Sequence, residues 1–124
     1  MPASYVIDKH RRLVLSTASG VLTFQDCVRQ QDQLINDPDF DPAYNQLLDF
    51  CEVTGIQLDE LAIRFLMVRH VFSGQSRRAI IGSGEQFEEF VKKALQLRKE
   101  YMGVESARMF SDREEALRWL SFRD

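Results

Sequence analysis

Four groupings in this 124-residue chain carry residue types suited to chemistry. Cys51-Glu52-Val53-Thr54 brings a thiol, a carboxylate and a hydroxyl to what reads as the end of a strand. A thiol attacks only as the thiolate, which needs a base or a cation beside it. No spacing in the sequence brings His10, in a hairpin turn, or His70, on a later helix, to Cys51, so Cys51 is read as a structural thiol. Gly82-Ser83-Gly84 enters a helix, where backbone N–H groups can face an anion. No Gly-Lys-Ser/Thr follows, and Phe87 stands where a dinucleotide fingerprint needs its third glycine. The segment is therefore read first as a strand-to-helix turn and second as a small-anion contact. Asp37, Asp39 and Asp41 alternate as at the start of a calcium loop, but Pro42 and Leu48 occupy the places of the required Gly and Glu. A solvated turn is expected there, and no metal site. Arg64, Arg69, Arg77 and Arg78 gather near one helix and one strand, as a solvated face or a functional basic patch. The His and Cys positions lack zinc-ligand spacing. No acid, base and nucleophile set converges, so neither an enzyme nor a cofactor is expected.

The elements that must position these groups follow from periodicity. Tyr5-Val6-Ile7-Asp8 and Leu13-Val14-Leu15-Ser16-Thr17 read as strands joined by a short polar link, hence an antiparallel hairpin with Gly20 at its end. Thr23 with Asp26 has capping-box spacing, and Phe24, Cys27, Val28, Leu34 and Ile35 keep helical spacing until Asp37-Pro38 stops the helix. Gln46 to Cys51 is a short apolar strand of the buried parallel kind. A helix is predicted from about Asp59 to Phe72. It carries two apolar stripes, Leu58, Leu61, Ala62, Phe65 and Phe72 on one and Ile63, Leu66, Met67 and Val71 on the other. Such a helix is buried on two sides or presents a face to a homodimer or another partner. Ala79-Ile80-Ile81 is the fourth strand. Ser83 with Gln86 predicts a capped helix with Phe87, Phe90, Val91, Ala94 and Tyr101 inward and Gly103 as its C-cap. Val104 to Phe110 is the last strand, and Ser111 with Glu114 caps a terminal helix carrying Ala116, Leu117 and Leu120.

Strands alternating with helices after a hairpin give an α/β domain with a mostly parallel five-stranded sheet and four helices. The length suits a single domain, residues 1–124. A net charge of −3 with interspersed signs argues against a nucleic-acid partner. No apolar run approaches the roughly 20 residues of a membrane span. The start Met1-Pro2-Ala3-Ser4 does not read as a signal peptide, which makes the cytoplasm the expected location and reduced thiols the expected state of Cys27 and Cys51.

This order resembles the STAS-type domains, and more closely the bacterial SpoIIAA-like group related to the anti-sigma-factor antagonists. The resemblance spans almost the whole chain. It rests on Gly20-Val21-Leu22-Thr23, Leu48-Asp49 within Leu-Leu-Asp-Phe-Cys-Glu-Val-Thr-Gly, Arg78-Ala79-Ile80-Ile81, and Ala107-Arg108-Met109-Phe110 running into Glu115 to Leu120. In the antagonists a Ser or Thr follows an Asp at the start of the helix after the third strand, and a partner kinase phosphorylates it. Here Leu58 stands at that place, and Thr54 is the only hydroxyl between Cys51 and Phe72. Asp59 and Glu60 put fixed negative charge at that helix start, either as a constant mimic of the phosphorylated state or as ordinary capping, which explains them at least as well. The same fold class resembles lipid-carrying Sec14-type domains, but those chains are longer, and a packed domain of this size leaves little room for a lipid.

The expected function is therefore a non-enzymatic regulatory or protein-interaction module. The alternative is a small-ligand or anion-binding domain. Its site would use strand ends, where open parallel sheets bind ligands: Cys51 to Thr54 and the loop Gly82, Ser83 and Gly84. Across both readings, Thr54, Leu58, Asp59, Glu60, Gly82, Ser83 and Gly84 are the residues expected to meet a ligand or partner.

Overall fold

A computed structural model describes residues 3–73, 75–102 and 106–121, with the side chains of 101 and 102 left aside. The expected inward Tyr101, the C-cap at Gly103 and the strand start at Val104 lie outside what is described. The order is β1 (Ala3–Asp8), β2 (Leu13–Thr23), α1 (Phe24–Ile35), β3 (Asn45–Gln57), α2 (Glu60–Val68), β4 (Arg78–Ile81), α3 (Glu85–Met102), β5 (Ala107–Phe110) and α4 (Arg113–Ser121). The five strands form one sheet in sequential order, with β1 antiparallel to β2 and every other pair parallel. Among the described residues, no helix is long and apolar enough to cross a membrane.

Alternation along the strands divides the core into two layers. Leu13, Leu47, Ala79 and Ile81 face α4 and meet Ala116 and Leu120. On the opposite face, Ala18, Phe50 and Ile80 meet Phe87 and Val91 of α3, while Val14 meets Leu34 of α1 and the loop residues Val71 and Phe72. α1 packs on β1 and β2, and α3 on β3 and β5. α2 packs mainly on α1 and α3 instead of on the sheet.

Several local expectations change. β2 and β3 continue past Gly20 and Cys51 as a parallel pair, with irregular register between Thr17 and Ser19 and again between Gly20 and Val21. Gly20, at φ 64°, takes up that irregularity within the strand and does not end it. α2 stops at Val68, because His70 turns the chain at φ 49° and sends Val71 and Phe72 into the core. The capping box of Thr23 and Asp26 forms in full. Ser83 and Ser111 do not cap: Gly84, at φ 100°, accepts from Glu88 at 3.0 Å, and Asp112 receives the Glu114 N–H at 2.9 Å.

Leu47 is 1% exposed at the centre of the sheet. Leu47→Ala is expected to lower unfolding free energy by about 3 kcal/mol in urea titrations, because a central core leucine leaves a cavity that the sheet cannot close. A methyl group added at Gly82 would lie 2.7 Å from Cε1 of the buried Phe87 ring. Gly82→Ala should therefore cost about 1–2 kcal/mol by the same measurement, through overpacking.

Candidate functional site

α2 stands off the sheet, and a cavity of about 190 Å³ lies beneath it. Its walls are mostly apolar: Leu34 from α1, Ile63, Leu66 and Met67 from α2, and Phe90 and Ala94 from α3 all line it. The sheet contributes its floor. Val14, Gln46 and Arg78 are register partners across β2, β3 and β4, and Ser16, Leu48 and Ile80 form the next row. Polar groups thus sit among apolar ones on the inner face. Gln46 donates to the Ser16 hydroxyl at 2.9 Å, and both side chains are buried.

Two arginines complete the floor. Arg78 stacks on the Phe72 ring, with its guanidinium carbon 5.2 Å from the ring centre. Burial, and then the charge of nearby Arg98, lower its pKa to about 9, which still leaves it protonated at neutral pH. Arg98 projects from α3 and is only 6% exposed. It donates through Nη2 to the Ser106 hydroxyl at 2.7 Å, while its buried Nε has no hydrogen-bond partner among the described residues. Burial also lowers its pKa. No described Asp or Glu lines the cavity. Cys27 lines it too, but burial, aided by the neighbouring Asp26, pushes that thiol up to about 12 and keeps it neutral.

α2 covers the cavity and is tied down at its edges. Gln31 of α1 donates to the Leu66 carbonyl at 3.2 Å and accepts from Arg69 at 3.1 Å, and Arg69 also pairs with Asp32. Phe24 and Phe65 meet edge to face at 5.4 Å. On the other side, Lys93 of α3 reaches Glu60 at 3.1 Å.

Of the strand-end residues expected from sequence, Leu58 lines this cavity, as do Arg78 of the expected arginine patch and His70. Thr54 is exposed on the β3 extension. Asp59 is the N-cap of α2, accepting from the Ala62 N–H at 2.8 Å. Glu60 bridges Lys93 and Arg64, which hold its pKa below the usual carboxylate range. These acids are accounted for as cap and bridge. Gly82 abuts Phe87, and Ser83 and Gly84 are exposed in the turn. Cys51 is exposed, and its bond to Asp49 raises its pKa, so the thiol is held protonated. The arginine patch dissolves into separate tasks. Arg64 bonds Glu60, Arg69 ties α2 to α1, Arg77 donates to the Trp119 carbonyl at 3.0 Å, and Arg78 enters the cavity. In the aspartate loop, Asp37 accepts from the Tyr5 hydroxyl at 2.8 Å and Asp41 from the Ala43 N–H at 2.9 Å.

Ser16, Gln46 and Arg98 were not anticipated. The signal for Arg98 lies in its spacing: Phe87, Val91, Ala94 and Arg98 follow one helical stripe, so a charge occupies an inward position.

No family model matches the chain, and no curated protein matches it. Among solved structures it is similar to an uncharacterised protein of the DUF3478 family from Shewanella loihica PV-4, described as having a SpoIIAA-like fold. The identity is 25%, the TM-score 0.63, and the match covers 95% of this chain and 93% of the other. The sequential sheet with its leading antiparallel strand, three helices on one face and one on the other, is thus a SpoIIAA-like fold.

Proposed function

We propose that this domain is a non-enzymatic binding module that holds a small organic molecule between α2 and the sheet. The cavity itself carries the reading. Protein interiors pack densely and hold few voids larger than a water molecule, yet here about 190 Å³ stays open between apolar walls and a polar floor. A dry apolar cavity of about 150 Å³ takes a benzene ring, so this one suits a ring or short branched chain with a small head group. The thiol of Cys27 in the wall, held neutral by burial, suits apolar contact with a ligand. The site lies under α2 toward the amino ends of β3 and β4, not at the carboxyl ends where parallel sheets commonly bind ligands.

A regulatory role through a protein partner is the second reading, and one observation favours it. Leu61, Phe65 and Val68 of α2 are 76%, 48% and 47% exposed, forming an apolar stripe on the outer side of the helix whose inner side walls the cavity. One short helix thereby joins the ligand space to a surface on which a second copy or another protein can dock.

Methyl NMR tests the first reading. Small ring and branched-chain compounds are expected to shift the signals of Ile63, Leu66 and Ala94, and Ala94→Phe, which fills the space, is expected to abolish those shifts while preserving the circular dichroism spectrum. Absence of any shift across such a set sinks it. For the second reading, sedimentation of the wild type against Leu61→Glu should show a larger species that the variant loses. A wild type that sediments as a monomer at high concentration removes self-association.

A further inference from the structure

We infer that the cavity selects an organic carboxylate, gripped at its head by Arg98 and Arg78 with its apolar body under α2. The inference rests on the binding reading above and specifies the ligand's charge.

Placing two like-charged groups side by side in a poorly hydrated space is unfavourable unless an opposite charge joins them. Arg78 and Arg98 line the same cavity, the charge of Arg98 is felt at Arg78, and no described carboxylate pairs with either. The arrangement is built, not incidental. Arg78 sits over the buried Phe72 ring, its guanidinium carbon 5.2 Å from the ring centre. Arg98 is anchored through Nη2 on Ser106, which leaves the buried Nε without a partner. Guanidinium groups bind carboxylates through paired N–H donors, and such charge-assisted bonds are about twice as strong as neutral ones. Gln46 donates to the Ser16 hydroxyl at 2.9 Å, and this bond holds both side chains at the border of the head-group position. No acidic side chain among the described lining residues opposes an incoming anion, and the neighbouring Cys27 stays uncharged. Beyond the arginines the walls are hydrocarbon, contributed by Ile63, Leu66 and Phe90. An anion with no apolar body leaves those walls unfilled, and an apolar body with no anion leaves the cations unmatched.

Isothermal titration of the full chain with benzoate, cyclohexanecarboxylate and hexanoate, beside toluene and inorganic phosphate, decides the matter. At least one carboxylate is expected to bind, with toluene and phosphate at least tenfold weaker. Arg98→Gln should weaken that carboxylate by about ten- to a hundredfold, the range for losing bonds to a charged group. Arg78→Gln serves as the second variant should Arg98→Gln fail to fold, and a similar loss is expected. Toluene binding as tightly as the carboxylates, with both variants unaffected, overturns the anion inference but leaves the binding reading standing. Phosphate binding more tightly than every carboxylate overturns the organic body. Silence from all five compounds, together with the absence of methyl shifts described above, overturns both.

Discussion

The width of the sheet constrains everything above it. Five strands about 4.8 Å apart span about 19 Å, which is room for two helices of about 10 Å side by side. Parallel neighbours in sequential order, joined by right-handed crossovers, must carry α1, α2 and α3 on the same face. The third helix has no sheet left to cover. α1 takes β1 and β2, α3 takes β3 to β5, and α2 is lifted into the groove between the two helices. The space beneath it follows from topology, and the residues facing that space then decide what it is for.

Those residues mix polar groups into an otherwise apolar lining. On the α4 face, Leu13, Leu47, Ala79 and Ile81 pack against Ala116 and Leu120, and the polar neighbours Asn45 and Asp49 are each bonded to α4, to the Leu120 carbonyl and to Arg113. On the opposite face, Ser16, Gln46 and Arg78 interrupt the rows, and Arg98 meets them from α3. Buried polar side chains are costly unless matched. Gln46 and Ser16 match one another, whereas Arg98 leaves a donor open. Leucine at such positions would add apolar burial at no polar cost, and their polarity is what the binding proposal rests on.

Much of the fold is legible in the sequence because several signals agree. The hairpin, the Thr23–Asp26 box, the Ala79-Ile80-Ile81 strand and the inward Ala116 and Leu120 each combine periodicity with a boundary residue, and each forms as read. Single-residue signals misled. Gly20 reads as a terminator, but a parallel partner strand carries β2 through it. Ser83 and Ser111 have capping spacing, yet a positive-φ glycine and the adjacent Asp112 take their places. The double stripe over residues 58–72 is real in its two faces but not in its length, because His70 folds Val71 and Phe72 away from the helix. The site was the least legible part. Gln46 and Arg78 stand at strand beginnings, where polar residues are ordinary, and Arg98 is one of many charges on α3. Only the register of β2, β3 and β4, which no local pattern encodes, brings them together.

The mounting of α2 has a kinetic side. A helix of nine residues is marginal by itself in water, and this one lacks the support of a sheet. What holds it is the Gln31 bridge to Leu66 and Arg69, the Arg69–Asp32 pair, the Phe24–Phe65 contact and the Glu60–Lys93 pair, nearly all at its rim. Rim contacts that are partly exposed release at low free-energy cost. Besides the buried Ile63, these rim contacts are what an opening of α2 over an intact sheet, α3 and α4 would have to break. Under the proposed binding, residence time in the cavity and the salt concentration that weakens those rim pairs are tied together by the same few side chains.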